Sequence, residues 1–128
     1  MPVVQECLQI GIPLHYAVHI TGSGWRKLMR HADSFIYVIE YVPEPPPIFA
    51  FLQKHGQLDD YTAYAEYNMG AGFALMLPEE DVSAVRAIAR KHNIMAWHAG
   101  YVSRQGTEKK LCILPKKLEY LGDSLGVR

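Results

Sequence analysis

The chain has 128 residues, of which 49% are apolar and 20% charged, and thirteen lysines and arginines balance thirteen acidic residues. This length predicts one domain over residues 1–128, and the composition excludes a disordered chain and a coiled coil. A formal charge of zero argues against nucleic acid as a partner, because nucleic-acid binding requires a basic surplus. No apolar run reaches the ~20 residues of a membrane span and no signal peptide is evident, so we expect a cytoplasmic protein without a membrane partner.

The first half of the chain predicts two helices and two strands. Apolar side chains at helical spacing predict a helix over residues 3–10, and alternation predicts a strand over 15–20. A short helix is predicted over 25–31, after a glycine-rich break. Residues 34–42 are rich in Ile, Val, Phe and Tyr and predict a strand. Both faces of this strand are apolar, so we interpret it as an edge or interface strand and expect a homodimer or higher oligomer.

The second half predicts a mixture of the same two element types. Its predicted elements are helices over 48–55, 79–92 and 118–121, and strands over 72–77, 94–102 and 110–114. The strand over 72–77 is continuously apolar, which is typical of a buried central strand. Residues 58–67 leave open whether one or two helical turns form. The element order predicts an α+β fold, in which a mixed sheet carries helices packed on one face.

The first candidate site, called here the first glycine segment, is residues 19–24, which read His19-Ile20-Thr21-Gly22-Ser23-Gly24. It lies between a predicted strand and a predicted helix, where backbone N–H groups can bind an anion. Thr21 and Ser23 add hydroxyl donors, and the next residues after Trp25 are the cations Arg26 and Lys27. A tight turn without a ligand explains the same residues, and spacing alone leaves both interpretations open.

The second candidate site, the second glycine segment, is residues 68–72, which read Asn68-Met69-Gly70-Ala71-Gly72. Asn and Gly permit left-handed backbone and the close approach of a ligand, although a sharp turn before the next strand has the same composition. Acidic residues accumulate between positions 59 and 81, where they favour helix starts and solvated surface over a Mg²⁺ site. We therefore expect no metal site, and no motif identifies a catalytic residue.

The two glycine segments together resemble motifs of one enzyme family. The first resembles His-Ile-Thr-Gly-Gly-Gly, with Ser23 in place of the middle glycine, and residues 67–72 resemble Phe-Asn-Met-Gly-Ile-Gly. Between them, Ile48-Phe49 and Leu52-Gln53 followed by Gly56 resemble the helix of the same family. These motifs are similar to those of the C-terminal domain of aminoimidazole ribonucleotide (AIR) synthase and related proteins, which include selenophosphate synthetase and thiamine monophosphate kinase.

The resemblance implies a fold and a function. It implies the substrate-side domain of an ATP-dependent, purine-biosynthesis ligase of the phosphoribosylformylglycinamidine cyclo-ligase type, with the site in a cleft between two domains. The residues implied to hold a phosphorylated small molecule are His19, Thr21, Gly22, Ser23, Gly24, Asn68, Gly70 and Gly72. ATP and Mg²⁺ are implied only with an ATP-binding domain in trans, since these 128 residues lack the N-terminal domain of the family. We therefore expect the chain alone to be inactive. The alternative is a non-catalytic module that binds a metabolite or a protein and keeps the fold.

Overall fold

The computed structural model describes residues 2–21, 24–31 and 33–125, so Gly22 and Ser23 of the first glycine segment lie outside the described residues. The chain divides into two compact units. The first unit is formed by Met1–Ala17 and Leu75–His98, and the second by Val18–Ala74 and Ala99–Arg128.

Helices and strands are interspersed along the chain, and their mixture confirms the predicted α+β class. The α-helices are α1 (Pro2–Gln9), α2 (Pro47–Gly56), α3 (Asp60–Glu66) and α4 (Val82–Lys91). The strands are β1 (Tyr16–His19), β2 (Ile36–Ile39), β3 (Phe73–Met76), β4 (Gly100–Ser103), β5 (Lys110–Ile113) and β6 (Leu118–Leu121). Short 3₁₀ helices cover Gly24–Arg30, Glu79–Asp81, Leu114–Lys116 and Gly122–Leu125. None of the helices in the described ranges is long and apolar enough to cross a membrane.

The core of the first unit lies between α1 and α4. Both helices bury an apolar stripe, which consists of Val3 and Cys7 on α1 and Val85, Ile88 and Ala89 on α4. The sequence predicted this stripe on α4 from side chains three and four residues apart, which share one face of a helix. Burial of each larger apolar side chain contributes roughly 1.5–3 kcal/mol, so this contact stabilises the unit.

A four-stranded mixed sheet, in the order β4-β2-β5-β6, lies in the second unit. β2 is antiparallel to β4 and parallel to β5, and Val38 pairs with Tyr101 on one side and Cys112 on the other. The prediction that residues 34–42 form an edge strand is therefore wrong. A strand with apolar residues on both faces is covered best at the centre of a sheet, and that is where β2 lies.

The predicted helix over residues 118–121 is also wrong, because these residues form β6, antiparallel to β5. Lys117 has a left-handed backbone (φ 56°), which ends the preceding 3₁₀ turn and begins the strand. Tyr120 is buried and Glu119 is exposed, which is the alternation of a strand with one covered face. The four residues are too few for the sequence to distinguish a helical period from a strand period.

Two further predicted strands differ from the structure. β3 pairs with β1 in a sheet of two strands, and its residues are exposed or half-buried, so the prediction of a buried central strand over 72–77 is wrong. The single predicted sheet is thus two sheets. The predicted strand over 94–102 is confirmed only near its end, where β4 begins at Gly100. A Cβ at Gly100 would overlap the carbonyl of Val38, so only glycine lets β4 approach β2 so closely here.

Candidate functional site

The structure brings the two glycine segments side by side. The backbone N–H of Ile20 donates to the carbonyl of Gly72, and the indole Nε1 of Trp25 donates to the carbonyl of Asn68, both at 2.9 Å. The rings of His19 and Phe73 lie 6.0 Å apart between their centroids. The segments are distant in sequence, so only the fold places them side by side.

Gly24, in the first glycine segment, serves the packing of the loop against α3. Its backbone is left-handed (φ 54°), and its N–H donates to the carbonyl of Thr21 at 2.8 Å. Gly24 is buried, and a Cβ there would lie 2.7 and 2.8 Å from the carbonyl carbon and oxygen of Ala65. The tight-turn interpretation of the sequence therefore accounts for this glycine within the fold itself.

The second glycine segment is a turn held by its own side chains. Met69 and Gly70 both have left-handed backbones (φ 50° and 95°), and the side-chain Oδ1 of Asn68 accepts from the N–H of Gly70 at 2.9 Å. Met69 is buried and anchors the turn. A Cβ at Gly70 would lie 2.6 Å from Cδ of Pro46, so glycine is required there by packing as well.

Gly72 differs from Gly24 and Gly70. It is exposed, its φ lies outside the left-handed region, and a Cβ built on it meets no atom of the described residues within 4 Å. The described residues therefore give no packing reason for glycine at this position. Another physical reason for a glycine is that it lets a second molecule approach the backbone closely.

One of the two cations near the first glycine segment lies at its exposed end. The Nζ of Lys27 donates to the Oγ1 of Thr21 at 2.7 Å, which places an ammonium group beside an exposed hydroxyl. Arg26 instead donates from Nε to the carbonyl of Ala65 at 3.1 Å, in the last turn of α3, where helix carbonyls lack partners. The sequence analysis gave Arg26 and Lys27 the same role as cations near the segment, whereas in the structure Lys27 contacts Thr21 and Arg26 contacts α3.

Trp25 and Pro46 contact the glycine segments, although the sequence analysis did not single them out. The indole of Trp25 is buried and packs edge-on against Tyr64, with ring centroids 5.7 Å apart. A buried indole N–H requires an acceptor, and this requirement is the signal that could have linked Trp25 to another loop. The position of Pro46 against Gly70 has no comparable signal in the sequence.

Two of the acidic residues between positions 59 and 81, Asp59 and Asp60, act locally at the start of helix α3. The carboxylate of Asp59 accepts from the N–H of Thr62 at 2.9 Å and caps α3, and this hydrogen bond holds its pKa below the usual range. Asp60 accepts from the side chain of Gln53 at 3.1 Å. In the ranges that the structure describes, no three His, Cys, Asp or Glu side chains could share a metal ion.

Comparison with known proteins gives a consistent family. The family model described as AIR synthase related protein, C-terminal domain, matches residues 1–111. The phosphoribosylformylglycinamidine cyclo-ligase of Methanocaldococcus jannaschii is 40% identical over 101 residues, which cover 79% of this chain and 29% of that protein. Enzymes of the same name from Methanococcus maripaludis (36% over 101 residues, 79% and 28% covered) and Methanosarcina acetivorans (43% over 70 residues, 55% and 21% covered) also match. The chain thus spans less than a third of the length of these curated relatives.

Proposed function

The chain belongs to the family of AIR synthase related proteins, whose C-terminal domain it matches, and from this premise we propose that it is the substrate-side domain of an ATP-dependent ligase. The relatives are named phosphoribosylformylglycinamidine cyclo-ligases, so the ligand that we propose is phosphoribosylformylglycinamidine, a phosphorylated ribonucleotide. The proposal includes a cytoplasmic location and the family's arrangement of helices on one face of the mixed sheet.

The observation that supports the proposal is that the two glycine segments lie side by side. His19, Thr21 and Gly72 are exposed on these segments, and Lys27 supplies an ammonium group at Thr21. A phosphate binds well where a cation, a hydroxyl and uncovered backbone meet, and a glycine without a packing role, Gly72, allows the ligand to approach the chain. Gly22 and Ser23 are assigned to the same site from the sequence motif alone.

A partner domain that binds ATP is the second part of the proposal. The described residues hold no group of three or more His, Cys, Asp or Glu side chains that could bind a metal ion, and the sequence contains no lysine motif that cradles the phosphates of ATP. All ten residues of α2 are described and none of them is buried, and Ile48 and Phe51 are each 55% exposed. α2 begins directly after Pro46, whose ring lies against Gly70, so a domain that covers α2 would also adjoin the glycine segments.

Calorimetric titration with phosphoribosylformylglycinamidine tests the binding site. Lys27→Ala should weaken binding about tenfold or more, because a hydrogen bond from a charged group is worth roughly 1.5–3 kcal/mol. Gly72→Ala should weaken binding because its methyl group occupies the path of the ligand, while the stability of the fold is kept. Lys54→Ala, on exposed α2, removes one equal charge outside both segments and should leave the affinity unchanged.

Wild-type affinity in both Lys27→Ala and Gly72→Ala would contradict the site. The reaction is tested separately, by following ATP consumption. The chain alone should consume no ATP, and addition of the portion of the Methanocaldococcus jannaschii relative outside the matched span should restore turnover. Binding without turnover in the reconstituted mixture would support the alternative, a non-catalytic module that keeps the fold and the ligand.

A further inference from the structure

Independently of the glycine segments, we propose that a cavity in the first unit binds a nucleoside monophosphate, with its phosphate on two arginines and its base against a tryptophan. The cavity has a volume of about 380 Å³ and lies between α4 and the segment that follows it, residues 93–97. This volume falls in the range of ~300–1,000 Å³ that is usual for small-molecule sites, and the cavity is open to solvent on one side.

The cationic wall of this cavity is formed by Arg86 and Arg90, one turn apart on α4. The Nε of Arg86 donates to the carbonyl of Ala96 at 3.2 Å, which orients its guanidinium group and uses one of its five N–H donors. Within the described part of the chain, no carboxylate forms an ion pair with either arginine. Like charges at this spacing repel each other, and a bound phosphate would remove the repulsion and accept paired hydrogen bonds.

Apart from Asn93, the other lining residues of the cavity are apolar or aromatic: Ile94, Met95, Ala96 and Trp97. A left-handed backbone at Asn93 (φ 59°) turns the chain back over α4, and the N–H of Ile94 donates to the carbonyl of Ala89 at 2.8 Å. This turn leaves Ile94 37% exposed and Met95 77% exposed, and it brings the half-buried Trp97 into the lining. A planar base gains from stacking on an indole and from covering apolar side chains, which inorganic phosphate cannot do.

The two arginines and the apolar and aromatic lining residues together indicate the class of ligand. Two guanidinium groups match the charge of one phosphate monoester, and a longer phosphate chain would leave negative charge uncompensated. The adjacent indole favours a ring attached to that phosphate. The cavity therefore fits a nucleoside 5′-monophosphate better than free phosphate or an acidic peptide, and those two are the competing outcomes of the test.

The two tryptophans allow the experiment to distinguish this cavity from the glycine segments. Trp97 is a lining residue of the cavity, whereas the indole N–H of Trp25 donates to the carbonyl of Asn68 in the second glycine segment. Adenosine monophosphate is titrated into the ¹⁵N-labelled 128-residue chain, and the indole resonances are assigned with Trp97→Phe. We expect a saturable shift of the Trp97 indole signal, weakened about tenfold or more by Arg86→Gln or Arg90→Gln. Arg30→Gln, an equal change at an exposed arginine of the second unit, should have no effect.

Three results would overturn the proposal. Equal affinities for inorganic phosphate and adenosine monophosphate would show that the base is not recognised. Tighter binding of an oligoglutamate peptide than of the nucleotide would show that the surface recognises an acidic protein. A shift confined to the Trp25 indole signal would place the nucleotide at the glycine segments, which would refute the cavity and leave the proposed function intact.

Discussion

Replacing Gly24 by alanine should destabilise the second unit far more than replacing another glycine that has the same backbone conformation. The matched control is Gly106, in the turn between β4 and β5, where φ is 60° against 54° at Gly24. A Cβ at Gly106 meets no described atom within 4 Å, whereas a Cβ at Gly24 lies 2.7 Å from the carbonyl carbon of Ala65. The pair therefore separates backbone strain from steric overlap.

The magnitude follows from three contributions. In both variants, a left-handed backbone destabilises a residue that has a Cβ by roughly 1–2 kcal/mol. Alanine also lowers the conformational entropy of the unfolded chain, which stabilises both variants by about 0.4–1 kcal/mol. Only Gly24→Ala adds the cost of inserting a methyl group into packed backbone, about 1–3 kcal/mol. We expect losses of about 1 kcal/mol for Gly106→Ala and about 2–4 kcal/mol for Gly24→Ala.

Urea unfolding followed by circular dichroism measures the difference. With the slope usual for a small protein, the two variants should have midpoints that differ on the order of 1 M. The assay is informative only if both variants keep the slope of the wild type, because a changed slope reports a changed unfolded or native state. Equal losses of stability in the two variants would refute the close approach of Gly24 to α3.

The remaining predictions concern ionisation and association. Hydrogen bonds with Lys91 and His92 hold the pKa of Glu6 below its ordinary value of 4.5. The free energy of unfolding should therefore fall as the pH falls through this lowered pKa, and thermal unfolding of Glu6→Gln should depend less on acid pH than that of the wild type. Burial raises the pKa of Tyr120 above its ordinary value of 10.0, so stability should be lost as the pH rises beyond that value, and Tyr120→Phe should lose less in alkaline unfolding experiments. A homodimer or higher oligomer is still expected, now from the open edge strands of the four-stranded sheet. Light scattering should give a mass above 14.5 kDa that Tyr101→Lys in the exposed edge strand β4 lowers, and a constant 14.5 kDa for the wild type would refute it.

The sequence by itself determined the elements whose patterns are long or strongly marked. The helices near residues 3–10, 48–55 and 79–92 lie within one to three residues of α1, α2 and α4, because apolar spacing and glycine or proline boundaries specify a helix locally. The sequence also determined the family, because the two glycine segments resemble motifs of that family and the family model matches residues 1–111.

Only the tertiary structure decided the position of each strand and the role of each glycine. The central place of β2 depends on partners from β4 and β5, and β6 is a strand because β5 offers it hydrogen bonds, so neither follows from four local residues. Gly24, Gly70 and Gly72 are the same residue type, and the local sequence predicts a ligand-binding position equally at each of them. What separates them is the space around each Cα, filled by α3 at Gly24, by Pro46 at Gly70 and by no described atom at Gly72. That space is set by residues distant in the chain, and no local pattern records it.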